Sequence, residues 1–198
     1  MQPGDSGEDV LALQQRLAEL GYWLGTPDGT WGSLTTQAVY AVQKANGLSR
    51  DGVAGPITRA TIAEGARPES RAGGNGIEID LKRQLLLVVR DGAVKHIFNT
   101  STGSNVPYVE IFEGREYRGS ARTPTGSYSV FREVNKLDKG PLGALYRPKY
   151  FNGGIAVHGS PSIPPTNVSH GCARLSNAAM DLIWANGYMP IHGKVTVY

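Results

Sequence analysis

Hydrophobic side chains in residues 1–65 recur every three or four positions, a pattern that predicts helices with one apolar face. One series predicts a helix over 8–20 that ends at Gly21, because glycine terminates helices at little steric cost. A second series predicts another helix that begins near Leu34 and ends before Gly47. The first part of the chain is therefore expected to be all helical.

A short segment is repeated within this helical part. The sequence D-G-T-W-G-S-L-T-T-Q-A at 28–38 returns as D-G-V-A-G-P-I-T-R-A-T at 51–61, and each copy joins a glycine turn to the start of a helix. Pro56 takes the first helical position of the second copy, where its missing N–H is not needed. Two copies are too few for a solenoid, so we predict a small all-α domain of three helices over 1–65.

Beyond residue 75 the pattern changes to short apolar runs separated by glycine and polar turns, which predicts strands. Asp91 and Gly92 form a dipeptide that favours a tight hairpin turn. Residues 104–121 are interpreted as an inserted hairpin whose role the sequence does not define. The predicted strands are 77–81, 84–90, 94–100, 127–133, 155–157 and 193–198.

Residues 66–75, A-R-P-E-S-R-A-G-G-N, have the small, charged and glycine-rich composition of a linker. The sequence therefore predicts two domains, 1–65 and 76–198, that reorient about this segment. The second domain is expected to be mainly β, with one short helix that Ser176 caps and Gly187 ends.

Composition and charge exclude several classes of function. The chain has 198 residues, of which 40% are hydrophobic and 19% charged, and its net charge of +3 is too small and too evenly spread to indicate nucleic-acid binding. No apolar run approaches the roughly 18 residues of a membrane span. Residues 1–7 do not have the pattern of a signal peptide, so work outside the cytoplasmic membrane would require an export signal that this sequence does not carry.

The single cysteine, Cys172, lies in the run S-H-G-C-A-R-L-S, where its polar neighbours argue against a role as buried filler. A thiol has a pKa of about 8.5, so a nucleophilic cysteine needs a base or a positive charge nearby. His158, at the end of a short apolar run, is the stronger candidate for this base. His170 is the weaker one, because its side chain would point the same way as the sulfur only if 170–172 is extended, and Gly171 allows a turn equally well. The N–H groups of Gly171, Cys172 and Ala173 are candidates for an oxyanion hole.

Several of these motifs resemble a known family. The run S-H-G-C-A-R-L-S, with the upstream I-A-V-H-G, is similar to the signature of L,D-transpeptidases of the YkuD type, which cross-link bacterial peptidoglycan. N-T-S-T-G at 99–103 and R-T-P-T-G-S-Y at 122–128 resemble the strand ends that lead into that family's catalytic sheet. The resemblance covers about 76–198 and implies a β-sandwich or barrel with a short helix.

The resemblance also implies a role for each matching residue. Cys172 would be the nucleophile and His158 its acid and base, with the carbonyl group of Gly159 orienting the imidazole. The residues implied in the oxyanion hole and in substrate contacts are Ser169, His170, Gly171, Ala173 and Arg174. The loop between His158 and Ser169 is proline-rich and shorter than in many relatives.

The implied reaction is acyl transfer from a tetrapeptide stem with release of D-alanine, and it needs no cofactor and no metal. Water in place of an acceptor amine would make the enzyme an L,D-carboxypeptidase. The family also implies acylation by carbapenems. We expect a monomer whose partner is peptidoglycan, in the extracytoplasmic cell envelope or secreted.

The pattern D-G-x-x-G-x-[LI]-T resembles the peptidoglycan-binding domain 1 family over nearly all of 1–65. This resemblance implies that the domain holds peptidoglycan and raises the local concentration of substrate. Tyr22, Trp23 and Trp31 are candidate faces for sugar rings, or alternatively packing residues of a small domain. On this basis, removal of 1–65 should leave the turnover of a small soluble stem peptide largely intact.

A lid is implied by the position of 133–152 between the strands that lead to the site. Tyr146 and Tyr150 are the candidates for its wall over the acyl pocket, and a solvated surface loop is the alternative interpretation.

Two other functions remain open from the sequence. A zinc peptidase could use His158, His170 and Cys172 as ligands, although one residue between His170 and Cys172 is an unusual spacing and no acidic base lies beside them. A wall-binding module without turnover is the other possibility, but it would leave the cysteine and histidines without a purpose.

Overall fold

The computed structural model describes all 198 residues, and the first part of the chain forms three helices. They are α1 (Glu8–Glu19), α2 (Ser33–Ala45) and α3 (Pro56–Glu64). Their apolar faces meet in a small core, because spacings of three and four residues place those side chains on one side of each helix. The all-α prediction for this part is confirmed.

Two buried glutamines explain why the repeated segment begins with Asp-Gly in both copies. The side-chain amide of Gln14 donates to the Asp28 carboxylate at 3.1 Å, and its oxygen accepts from the Asp28 N–H at 2.9 Å. Gln43 holds the second copy similarly, donating to the Asp51 carboxylate at 2.6 Å and accepting from the Gly52 N–H at 3.0 Å. Each Asp-Gly turn is thereby tied to the preceding helix, and the buried amides are hydrogen-bonded.

The remainder of the chain is mainly β, as predicted. The strands are β1 (Gly76–Asp80), β2 (Leu85–Arg90), β3 (Ala93–Asn99), β4 (Pro107–Phe112), β5 (Arg115–Ser120), β6 (Gly126–Ser129), β7 (Arg132–Glu133), β8 (Leu137–Gly140), β9 (Gly143–Asn152), β10 (Ile155–Ser160), β11 (Ala173–Ser176) and β12 (Lys194–Val197). Helix α4 (Asn177–Ala185) begins at the predicted cap, where the Ser176 hydroxyl accepts from the Ala179 N–H.

Most of these strands form two sheets. The first sheet has the order β3-β2-β1-β12-β6, and the second has the order β11-β10-β9-β7, with β8 also paired to β9. Strands β4 and β5 form a separate hairpin, which lies within the predicted insertion at 104–121. Residues of both sheets and of α4 share one hydrophobic core.

Strand β2 is buried on both of its faces. Leu86 and Val88 belong to the core between the sheets, whereas Leu85, Leu87 and Val89 point the other way and join the core of the three helices. A strand covered on both faces has a continuous apolar sequence rather than an alternating one. The two domains therefore share a core through β2.

This shared core corrects the prediction that the domains reorient about 66–75. The linker is also fixed in place, because Glu78, which is 2% exposed, accepts hydrogen bonds from the Ser70 hydroxyl and from the N–H groups of Arg71 and Ala72. Burial acts to raise the pKa of Glu78, but these hydrogen bonds outweigh it and hold the pKa below its ordinary value. Removal of 1–65 would also expose one face of β2 to water, so we now expect this truncation to lower the turnover of a small stem peptide.

The predicted strand over 127–133 is two strands that belong to different sheets. β6 pairs with β12 and β7 pairs with β9, and the chain passes from one sheet to the other at the fully buried Val130. The apolar pattern continues through this crossing, so it could not reveal the break. None of the four helices combines the length and apolar character needed to cross a membrane.

Candidate active site

Cys172 and His158 are brought together because β10 and β11 are parallel neighbours. The register pairs Val157 with Ala173 and His158 with Arg174. Side chains alternate along a strand, so Val157 and Ala173 enter the core between the sheets. His158 and Arg174 project from the opposite face, as does Cys172 immediately before β11, and all three line one cavity of about 640 Å³.

The imidazole of His158 is held in a defined orientation. Its Nδ1 atom lies 2.8 Å from the carbonyl oxygen of Gly159, a distance at which Nδ1–H donates and Nε2 keeps its lone pair. Gly159 itself is tightly enclosed, because a Cβ atom there would lie 2.7 Å from both Asn177 Oδ1 and the Tyr146 ring. Burial lowers the pKa of His158 to about 4, with a smaller contribution from the positive charge of Arg174. The ring is therefore neutral at pH 7 and able to accept a proton.

The thiol of Cys172 is also neutral at rest. Burial raises its pKa, although the Ala156 N–H, 3.4 Å from the sulfur, and the charge of Arg174 act in the opposite direction. The Sγ atom also lies 3.7 Å from the carbonyl oxygen of Gly154. With both groups neutral, a thiolate at Cys172 would form only by transfer of the thiol proton to a base.

The turn before Cys172 is fixed by two hydroxyl groups. Ser169 donates to the Cys172 carbonyl oxygen at 2.6 Å and accepts from the Gly171 N–H at 3.1 Å. Thr123 donates to the Gly171 carbonyl oxygen at 2.6 Å and accepts from the Gly103 N–H at 2.9 Å. Gly171 has a φ of +133°, a conformation that favours glycine. Because its N–H is already bonded to Ser169, Gly171 does not supply a free donor for an oxyanion.

Sequence reasoning missed Thr123 as a site residue. The run R-T-P-T-G-S-Y was recognised only as the end of a strand, whereas the structure places its first threonine, 3% exposed, beneath the cysteine turn. Thr123 bonds to two segments that are distant in sequence, so the residues around it could not predict this role. Its bonds to Gly103 and Gly171 join three of the recognised motifs.

Two hairpins form the outer walls of the cavity. The hairpin of β8 and β9 contributes Asp138 and Tyr150, whose hydroxyl donates to the Asp138 carboxylate at 2.7 Å. Burial, together with that carboxylate, raises the pKa of Tyr150 to about 12. Tyr146, the other lid candidate, does not line the cavity: its hydroxyl donates to Asp181 at 3.0 Å.

The β4–β5 hairpin contributes Tyr108 and Tyr117 to the wall of the cavity. His170 also lines the cavity, but its ring turns toward this hairpin. It lies 3.5 Å from Glu110 and packs edge-on against Tyr108, with ring centroids 5.0 Å apart. The insertion at 104–121 is therefore part of the site, and His170 links it to the cysteine turn.

Two of the three aromatic candidates of the helical domain are buried. Tyr22 is fully buried and Trp31 is 4% exposed, because both fill the core of the three helices. Trp23 is half-buried and packs on Phe98 of β3, with ring centroids 5.7 Å apart. For Tyr22 and Trp31 the structure thus agrees with the alternative interpretation, that they are packing residues, and Trp23 contacts the β domain.

The zinc hypothesis lacks its set of ligands. His158, His170 and Cys172 line the same cavity, but no three His, Cys, Asp or Glu side chains are grouped so that one metal ion could bind them. His170 instead faces Glu110 of the hairpin.

Comparison with known proteins agrees with this architecture. The model of the YkuD family, described as the L,D-transpeptidase catalytic domain, matches residues 74–196, and the model of the peptidoglycan binding domain family matches residues 6–62. The crystal structure of the L,D-transpeptidase (residues 123–326) from Xylanimonas cellulosilytica DSM 15894 superimposes with a TM-score of 0.93 and 48% identity, covering 100% of this chain and 97% of that one. An L,D-transpeptidase from Stackebrandtia nassauensis, at 23% identity and a TM-score of 0.52, shares the fold.

The curated amidases match this chain through its peptidoglycan-binding domain. The amidase CwlM of Mycobacterium tuberculosis is 44% identical over 52 residues, which are 26% of this chain and 13% of CwlM. The amidase CwlL of Bacillus licheniformis is 37% identical over 78 residues, which are 38% of this chain and 22% of CwlL. By the match over its larger domain, this chain belongs to the YkuD family of L,D-transpeptidase catalytic domains, with a domain of the peptidoglycan binding family before it.

Proposed function

We propose that this chain is a cysteine-dependent L,D-transpeptidase. It cleaves a tetrapeptide stem of peptidoglycan, releases D-alanine through a thioester and transfers the acyl group to an acceptor amine. The observation that supports this most directly is the parallel register of β10 and β11, which puts the His158 imidazole and the Cys172 thiol on one face at the cavity wall. Membership of the YkuD family supports the same reaction.

The first half of the reaction forms the thioester. The sulfur of Cys172 attacks the carbonyl carbon of the amide that precedes the terminal D-alanine, while Nε2 of His158 takes the thiol proton. The hydrogen bond from Nδ1 to Gly159 stabilises the resulting imidazolium. The tetrahedral intermediate then collapses, the carbon–nitrogen bond breaks, and His158 returns the proton to the nitrogen of the leaving D-alanine.

The second half reverses the roles. An acceptor amine attacks the thioester carbon, His158 takes the proton from its nitrogen, and the thiol of Cys172 leaves with a proton restored. Water as the acceptor gives L,D-carboxypeptidation. With the Gly171 N–H occupied, the N–H groups of Cys172 and Ala173 are the proposed donors to the oxyanion. Arg174 and Tyr150 line the space that the stem would occupy.

The helical domain is proposed to bind peptidoglycan, as its family implies. The amidases that share this domain are named as N-acetylmuramoyl-L-alanine amidases, and that linkage is one of the bonds in peptidoglycan. Because Tyr22 and Trp31 are buried, the binding surface must use other side chains. An extracytoplasmic or secreted location follows from this partner.

Product analysis tests the proposal. The full chain is incubated with a stem tetrapeptide, with and without a peptide that carries an acceptor amine, and the products are identified by mass spectrometry. We expect D-alanine release in a chelator-insensitive reaction, and a cross-linked dimer when the acceptor is present. Absence of D-alanine release would contradict the proposal, and loss of activity on chelation with recovery on adding zinc would favour the zinc peptidase.

The pH dependence should reflect the low pKa of His158. The imidazole must be neutral to take the thiol proton, and its pKa of about 4 means that kcat/KM should fall only below about pH 5 rather than near 6.5. Arg174→Ala removes a positive charge that lowers this pKa, so the acidic limb should move toward neutral pH. Arg174→Lys keeps the charge and is the matched control. A wild-type limb near pH 6.5 would contradict this assignment.

A further inference from the structure

The loop between His158 and Cys172 depends on hydrogen bonds from other parts of the chain. Its three prolines, Pro161, Pro164 and Pro165, lack N–H groups, so the loop has too few donors for its own carbonyl oxygens. Ile163, between the prolines, is 6% exposed, so this part of the loop is packed against its surroundings. Side chains from outside the loop donate hydrogen bonds to the carbonyl oxygens of Ile163 and Pro165.

Two of these donors belong to the helical domain. Gln37 of α2 donates through Nε2 to the carbonyl oxygen of Ile163 at 3.3 Å. Arg50, after α2, donates from its guanidinium group to the carbonyl oxygen of Pro165 at 3.1 Å. The partners are 126 and 115 positions apart in the chain. The peptidoglycan-binding domain thus contacts the loop that carries Cys172 at its end.

A buried lysine strengthens this contact through a second residue. Lys44 of α2 is 2% exposed and donates to Asn99 Oδ1 and to two backbone carbonyl oxygens, at 3.1 and 2.9 Å. None of these partners is a carboxylate, and burying an amine without a counterion is costly. The amide of Asn99 in turn donates to the Ile163 carbonyl oxygen at 3.1 Å and to Gln37 Oε1 at 2.5 Å. Lys44 therefore orients the amide that shares the Ile163 carbonyl with Gln37.

The catalytic domain holds the next part of the same loop. Ser101 donates through its hydroxyl to the Thr166 carbonyl oxygen at 2.7 Å and accepts from the Val168 N–H at 3.1 Å. Ser169, which follows, bonds to the Cys172 carbonyl. The helical domain therefore holds the loop at 163–165, and the β domain holds it at 166–168, a few residues before Cys172.

We infer that the helical domain positions the active site. Gln37 and Arg50 hold the loop directly and Lys44 acts through Asn99, so that together they set the location of Cys172 relative to His158. The inference rests on the proposed function only in treating these two side chains as the reacting pair. It assigns the peptidoglycan-binding domain a second role that does not involve binding the wall.

The test is a double variant, Gln37→Ala with Arg50→Ala, assayed on a short stem tetrapeptide without glycan. Loss of wall binding cannot affect this substrate. We expect kcat to fall about tenfold or more while KM changes less than about twofold, because small displacements of reacting groups reduce rate more than binding. Arg59→Ala, an exposed change of the same kind on α3, is the matched control and should match wild type. Arg50→Lys keeps a donor and should retain most of the activity.

A double variant that stays folded, by near-ultraviolet circular dichroism, and has the kcat of Arg59→Ala would overturn the inference. If the double variant unfolds at the assay temperature, the single variants assayed below their melting temperatures decide the question by the same criterion.

Alkylation of Cys172 by iodoacetamide separates this inference from the proposed function. If wild type does not release D-alanine, the proposed function fails, yet slower alkylation in the double variant would still support the positioning role and an equal rate would still overturn it.

Discussion

Cys172→Ala is expected to abolish D-alanine release and to prevent any covalent adduct with a carbapenem, whereas wild type gains the mass of one inhibitor molecule. The expected loss of turnover is on the order of 10⁴-fold or more, because no other side chain at the cavity can form the thioester. Intact-protein mass spectrometry measures the adduct, and product analysis of a tetrapeptide measures turnover.

The alanine variant should remain folded. The sulfur accepts one long hydrogen bond from the Ala156 N–H, and the turn is held by Ser169 and Thr123 rather than by the thiol. Circular dichroism and a thermal melt provide the control for folding. An adduct on the alanine variant would show that another residue is the nucleophile and would refute the assignment.

His158→Gln should lower kcat by about 10² to 10⁴-fold with a much smaller effect on KM, because an amide cannot accept the thiol proton. Glutamine retains polar atoms for the buried position, which is 3% exposed, so the fold should persist. Stopped-assay kinetics on the tetrapeptide give both constants, and the acidic limb of the pH profile should disappear with the imidazole.

His192→Gln is the matched control for that variant. His192 is exposed and lies outside the cavity, so the same substitution there should leave both kinetic constants unchanged. If the two glutamine variants were equally active, the base would have to be another group, and His170 would be the next candidate.

Much of this fold follows from local sequence patterns. Apolar spacing locates α1 and α2, the Asp91-Gly92 pair locates the turn between β2 and β3, and Ser176 locates the start of α4. Each of these features depends on residues that are close in sequence, so a local pattern is enough to predict it. The grouping of His158 with Cys172 came from motifs rather than from periodicity.

The features that the sequence did not reveal depend on distant contacts. Tyr22 and Trp31 have the composition of a sugar-binding face, and only the packing of three helices shows that they are buried. Gln37 and Ile163 have no local pattern that could predict their contact. Residues 85–89 are all apolar, and such a run indicates a strand that is buried on both faces. The sequence thus contained evidence that another part of the chain packs on the outer face of β2, although it did not show which part.

Strand β2 also determines how this protein loses its structure. Since its two faces belong to two cores, melting either core uncovers apolar side chains of the other. Calorimetry should therefore show one cooperative transition for the whole chain, although its sequence matches two separate families. Any domain that replaced the three helices would have to present a complementary apolar surface to Leu85, Leu87 and Val89. The helical domain therefore cannot be exchanged for an unrelated domain without exposing this face of β2.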